Sequence, residues 1–190
     1  AQEFFPNLEL HASTQMNVES SNAVRLLQGC GVKRMVLARE LGLDEIKKIK
    51  SETGADLEVF VHGALCVSES GRCLFSSFLG GKSANRGMCT QACRRFYTAE
   101  VPGGIKQGYY FSPCDLQLIE QIPDLMQIGV ESFKIEGRMK SVFYVATIVS
   151  AYRKAIDAYY ADPQSYEFKD EWMRELKKVS HREFTTGFYF

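Results

Sequence analysis

The sequence has no net charge: 23 Lys and Arg offset 23 Asp and Glu, beside only 3 His, and the pI is near 7.0. No overall field draws such a chain to nucleic acid or to a membrane surface. No apolar run approaches the roughly 18 residues of a membrane helix. His-Glu-x-x-His and Gly-x-Ser-x-Gly are both missing, as is any convincing Ser/His/Asp set, which removes the common hydrolase signatures. No two cysteines stand in a tight Cys-x2-Cys knuckle, which a structural zinc site usually needs. Six cysteines in 190 residues are too few for a disulfide scaffold, and 45% hydrophobic content is enough to bury a core without one. The start, "AQEFFPNLEL", carries no initiator Met or signal-peptide pattern, and the end, "TTGFYF", reads as an interrupted strand. A fragment of a longer, cytoplasmic chain with reduced thiols is the expectation.

Strand and helix periodicities alternate along the sequence. "LELHAST", "KRMVLA" and "LEVFVHG" read as three strands separated by helices at about Glu19–Gln28 and Gly42–Gly54. A cysteine-rich stretch follows. "GYYFSP" reads as a fourth strand, "CDLQLIEQIPDLMQIG" as a helix bent at Pro123, and "VESFKIEG" as a fifth strand. "SVFYVATIVSAYRKAIDAYY" is the longest helix, closed by Asp162-Pro163, and a last helix spans about Asp170 to Lys178. Repeated strand–helix units predict a parallel sheet, either doubly wound or part of a (β/α) barrel. Five units are roughly half to two-thirds of an eight-stranded barrel.

In both folds function gathers at the carboxyl ends of the strands. Here those ends carry His11, Ser13, Gln15 and Asn17, then Arg39-Glu40, then His62-Gly63, then Lys134, Glu136 and Arg138. Alternation places Glu58, Phe60 and His62 on one face, and Lys134, Glu136 and Arg138 on another. Unpaired charges on an apolar strand are costly unless they bind something. Either Glu136 and Arg138 form a structural ion pair, or the set lines a pocket for a small anionic carboxylate.

Four cysteines lie in one segment: Cys66, Cys73, Cys89 and Cys93. Disulfides, a Cys66 nucleophile activated by His62, and an iron–sulfur cluster are the open readings. Cys30, between two glycines, reads as a small filler, and Cys114 as a structural residue in an N-cap-like position. From Ser70 to Gly108, six cations (Arg72, Lys82, Arg86, Arg94, Arg95, Lys106) face one carboxylate, Glu100, with Phe75, Phe78, Phe96 and Tyr97 interleaved. That pattern suits RNA, an electropositive shell around thiolates, or a solvated loop.

"EVFVHGALCVSESGRCLFSS" resembles the signature of the U32 family, long labelled collagenase-like peptidases. The pattern Glu-x-Phe-x-x-Gly-Ala-(apolar)-Cys-x4-Gly-x-Cys is matched at Glu58, Phe60, Gly63, Ala64, Leu65, Cys66, Gly71 and Cys73. "NRGMCTQACRRFY" and "GVESFKIEGRMKS" are similar to the family as well. The resemblance implies a partial TIM-like barrel with a Cys-rich loop, 63–107, inserted after the third visible strand. Residues 1–162 would form that barrel, and 163–190 a C-terminal helix and the start of a following segment. It also implies a [4Fe-4S] cluster on Cys66, Cys73, Cys89 and Cys93, with Cys114 as the fallback for the fourth ligand.

The family divides between peptidases of unknown catalytic type and hydroxylation proteins acting on transfer RNA, ribosomal RNA or the ubiquinone ring. The branch implied here is RNA hydroxylation at uridine carbon 5, with prephenate as the small carboxylate. Glu58, His62 and Glu136 are then the candidate catalytic residues. His11, Arg39 and Arg138 would bind the carboxylate, and Arg86, Arg94, Arg95, Phe96 and Tyr97 the RNA. A peptidase is the alternative. A third reading is that the fragment is only a scaffold, its missing strands leaving it inactive, a swapped dimer or part of an assembly, so an oligomer is a further expectation.

Overall fold

A computed structural model describes residues 3–190; the first two residues of the expected first domain lie outside it. In chain order the elements are β1 (Leu10–Ala12), α1 (Ser21–Gly29), β2 (Val32–Val36), α2 (Leu43–Thr53), β3 (Asp56–Ala64), α3 (Phe75–Gly80), β4 (Tyr97–Val101) and β5 (Gly104–Gly108). They continue with β6 (Asp115–Gln117), α4 (Ile122–Ile128), β7 (Ser132–Ile135), α5 (Val142–Ala161), α6 (Asp170–Leu176) and β8 (Phe184–Thr185). Local chemistry sets the boundaries. Ser20 and Ser141 cap α1 and α5 by accepting from the N–H groups of Ala23 and Tyr144. At α2, the Glu45 carboxylate accepts from the Gly42 N–H (2.8 Å), and Gly54 in the left-handed region ends the helix.

The fold is mixed α/β around a mostly parallel sheet. β1, β2 and β3 run parallel in order, and β7 lies parallel beside β3. β6 pairs antiparallel with the last residues of β3, and β8 runs parallel to β6. β4 and β5 form a separate two-stranded ribbon. Met35, Leu57, Val59, Leu116, Leu118 and Ile148 are among the fully enclosed side chains of one continuous core between sheet and helices.

Two sequence expectations are corrected. The fourth strand is not "GYYFSP": only its Gly108 is in a strand, and Tyr109, Tyr110 and Phe111 are exposed. Nor does "CDLQLIEQIPDLMQIG" form one helix. Asp115–Gln117 is the strand β6, because Leu116, Leu118 and Ile119 all bury and Asp115 accepts from Arg182 through its backbone (3.0 Å) and guanidinium (3.1 Å). Cys114 therefore precedes a strand, not a helix. Pro123 sits in the first turn of α4, where its missing N–H costs nothing, and starts the helix instead of bending it. Cys30 is exposed at the end of α1, so it fills no interior space.

The expected face sharing of Glu58, Phe60 and His62 also fails. Against β7 the register slips between Phe60 and His62, an extra residue that breaks strict alternation. His62 is 1% exposed and packed among the rings of Tyr144, Tyr152 and Phe184. The Tyr152 hydroxyl donates to the Val61 carbonyl (2.7 Å) and lies 3.3 Å from His62 Nδ1, while Nε2 has no protein partner. Burial, which outweighs the opposing pull of Asp115 and is reinforced by Lys140 and His181, lowers the His62 pKa to about 4. The neutral ring is part of the core.

A histidine held neutral in the fold but free to protonate near 6.5 when unfolded stabilises fully above that pH and loses its contribution as pH falls toward about 4. Urea unfolding at stepped pH should show a loss of up to about 3 kcal/mol across this window. His62→Leu should flatten that slope. An unchanged slope in the variant would contradict the burial argument.

Candidate functional site

The carboxyl ends of β1, β2, β3 and β7 open into one cleft of about 320 Å³. Thr14 and Gln15 reach it from beyond β1, Arg39 from beyond β2, Ala64 from the end of β3 with Leu65 just past it, and Glu136 and Arg138 from beyond β7. The segment after β3 folds back over these ends and adds Cys66, Cys73, Cys89 and Cys93 to the same wall. All four expected thiols are brought together and none forms a disulfide. Cys114 does not line the cleft.

Three devices hold the thiol segment down. Ser70 is fully buried, and the Glu40 carboxylate accepts from both its N–H and its hydroxyl, each at 2.9 Å. Gly71 lies at φ +75°, and a Cβ there would come within 2.2 Å of the Gln15 carbonyl, so only glycine passes this close to the β1 turn. Gly63 meets the Glu136 carbonyl in the same way. The Arg94 guanidinium donates to the Leu65 carbonyl (2.5 Å), the Ser112 hydroxyl (3.0 Å) and the Pro113 carbonyl.

Arg94 is half-buried at the cleft wall, where burial lowers its pKa and its guanidinium is already bonded within the chain. Tyr97 is likewise engaged, donating to the Ala92 carbonyl (2.8 Å) and stacking on Phe75. Arg86 and Arg95 are exposed outside the cleft. His11 is exposed and bonded to Glu9 (2.7 Å), outside the cleft lining.

The cations in the cleft divide into two kinds. Lys134 is neutralised by Glu58 (2.8 Å), which also accepts from Ser132 (2.8 Å). Burial acts to raise the Glu58 pKa, yet these two bonds hold it below its ordinary value. Glu58 stands behind Lys134 as its counter-ion and does not line the cleft. Arg39 lies over the Phe60 ring (5.6 Å), and Arg138 is exposed. The ion pairs found among the described residues use neither arginine. Glu136 accepts from the Arg138 backbone N–H (3.2 Å), not from its guanidinium, so the expected structural ion pair is not formed. Two free guanidinium groups beside a carboxylate suit a small anionic ligand.

Burial pushes the Cys93 thiol up; Arg94 opposes this, and Cys66, Cys89 and Cys73 add to it. Among the described residues no three Cys, His, Asp or Glu side chains meet closely enough to hold a single metal ion. In a four-iron cluster each thiolate binds a different iron, so its ligands surround a space and do not converge on a point. Four unpaired thiols around one cleft, with cations nearby, fit that donor pattern. Gln91, in the left-handed region at φ 53°, turns the chain between two of them, and its N–H donates to Cys89 Sγ (3.3 Å). Ser70, Gln91 and Asn85, whose side-chain amide donates to the Gly71 carbonyl (2.9 Å), carry no recognisable signal in sequence. Glu40 was visible only as the neighbour of Arg39.

The sequence profile described as peptidase family U32 matches residues 1–190. A "tRNA hydroxylation protein P1" of Bacillus subtilis is 42% identical over 97% of this chain and 46% of its own length. A 23S rRNA 5-hydroxycytidine synthase of Escherichia coli is 44% identical over 80% of this chain and 24% of its own. A "Collagenase" of Porphyromonas gingivalis is 37% identical over 96% and 48%. The chain spans about half the length, or less, of these curated relatives. No solved structure matches it. No helix among the described residues is long and apolar enough to cross a membrane.

Glu40→Ala should leave two buried donors of Ser70 unpaired, costing about 2–3 kcal/mol. It should also speed iodoacetamide labelling of Cys66 and Cys73, read by mass spectrometry, more than that of Cys30. Equal labelling in variant and wild type would show that Glu40 does not anchor the segment.

Proposed function

The chain belongs to peptidase family U32, and from that premise we propose that it works as part of an iron–sulfur enzyme that hydroxylates RNA. The observation that supports this most is the convergence of four free thiols and two unpaired arginines on one cleft at the strand ends. Relatives named for tRNA and rRNA hydroxylation support the same reading. We read the sheet as part of a TIM-like barrel, in which strand carboxyl ends carry the chemistry.

Cys66, Cys73, Cys89 and Cys93 would hold a [4Fe-4S] cluster, which supplies one-electron chemistry when bound. Arg39 and Arg138 bind the carboxylate groups of a small co-substrate such as prephenate, and the Phe60 ring fixes the Arg39 plane. Lys134 adds positive charge but stays paired with Glu58, which sets the rim and transfers no proton. Glu136, with no cationic partner in an ion pair, is the carboxylate placed to hold or move a proton at the target base. The reading assigns uridine carbon 5 as the target position.

A peptidase reading has the relative named collagenase in its favour. Against it, His62 is sealed in the core and leaves Cys66 without an activating base.

Anaerobically purified protein, incubated with transfer RNA and prephenate, should yield hydroxylated uridine by nucleoside mass spectrometry. Cys66→Ala should abolish the product, and Arg39→Ala should raise the apparent KM for the carboxylate about ten-fold or more. Product formation that survives Cys66→Ala would contradict the proposal. So would cleavage of collagen peptides, blocked by thiol alkylation, with no RNA product.

A further inference from the structure

Two exposed aromatic rings pack against each other outside the cleft. Phe96 enters the β4–β5 ribbon and Tyr109 leaves it, and the pairing of Tyr97 with Gly108 brings their rings together. The centroids lie 5.2 Å apart, edge to face at 79°. Phe96 is 56% exposed and Tyr109 64%. A second ring cluster follows in the same segment, where Tyr97 stacks on Phe75 (6.2 Å, 15°) and Phe111 meets both edge-on at 5.7 Å. Two exposed rings packed on each other, next in the chain to a second ring cluster, differ from the single apolar residues scattered over any protein surface.

The segment that carries these rings is mostly cationic. Lys82, Arg86, Arg95 and Lys106 are exposed and enter no ion pair among the described residues; Glu100 is the one carboxylate of the 70–108 segment. The same segment also adjoins the cleft. The Tyr97 hydroxyl holds the Ala92 carbonyl, in the turn that joins Cys89 to Cys93.

We infer that this surface is a stacking platform for the unpaired bases of a single-stranded RNA segment, with Phe96 and Tyr109 as the stacking rings. Arg86, Arg95 and Lys106 meet its phosphates. Aromatic faces beside cations recognise splayed-out bases, whereas a duplex hides its base faces in the stack. The platform therefore selects loops and ends, and it presents the next nucleotide to the thiol-lined cleft. This rests on the reading of the chain as RNA-acting.

Fluorescence anisotropy of the full chain with labelled oligouridine and with a blunt RNA duplex tests the idea by binding alone. Oligouridine should bind in preference to the duplex. Phe96→Ala and Tyr109→Ala should each weaken it about ten-fold. Phe96→Leu and Tyr109→Leu, which keep apolar bulk but lose the ring face, should also weaken it without changing thermal stability. Arg86→Ala and Arg95→Ala should each lower the salt slope by about one.

Leucine variants that bind as wild type does, or a wild type that prefers duplex, would overturn the platform. A wild-type dimer in sedimentation that Tyr109→Ala dissolves would assign the surface to a second copy and also overturn it. Oligouridine binding that follows the ring variants, with no hydroxylated nucleoside formed, would sink the hydroxylation reading and leave the platform standing.

Discussion

The arrangement of the cleft depends on one buried contact, the Glu40 carboxylate gripping both donors of Ser70. The segment after β3 is polar, glycine-rich and short of regular structure, so hydrophobic burial alone cannot fix it above the sheet. A charged acceptor shared by two donors of an enclosed serine can, because leaving those donors unpaired in the interior is costly. With Ser70 pinned, Gly71 can press against the β1 turn, and Cys66 and Cys73 are carried to the cleft wall. Arg94 does the same for the later pair, tying the turn that follows Cys93 to Leu65 and Pro113.

The cations in the site divide their labour by partner, not by position. Arg94 and Lys134 are used internally, one on backbone carbonyls and one on Glu58, and each fixes geometry. Arg39 and Arg138 are free of ion pairs and face the cleft, which leaves them for an anionic ligand. Arg86 and Arg95 stand outside it, exposed to solvent. A chain with zero net charge thus holds a locally cationic surface where its chemistry would need one.

Much of this was legible in the sequence. The parallel β1–β2–β3 core, the long α5 helix and α6 follow from periodicity, because each buries a regular apolar stripe. Arg39, Glu136 and Arg138 meet in the cleft as their strand-end positions suggested, whereas His11, Glu58 and His62 of the same set do not line it, and strand ends alone did not bring the cysteines there. What alternation could not reveal was the register slip before His62, since an extra residue in a strand leaves no mark on composition. "GYYFSP" misled because aromatic residues favour strands wherever they stand, while here they cap a ribbon and remain exposed. Arg94 looked like a phosphate ligand for a similar reason: sequence gives a side chain's charge but not the carbonyls waiting for it.

The central claim is that four thiols of one folded-back segment form a single redox site, and iron and acid-labile sulfide content tests it most directly. Protein purified without oxygen should carry about four irons and matching sulfide per chain, with the visible absorption of thiolate-bound iron. Cys93→Ala should lose most of both while remaining folded. Colourless, iron-free protein that stays so after anaerobic reconstitution with iron and sulfide, its four thiols freely titratable, would contradict the account.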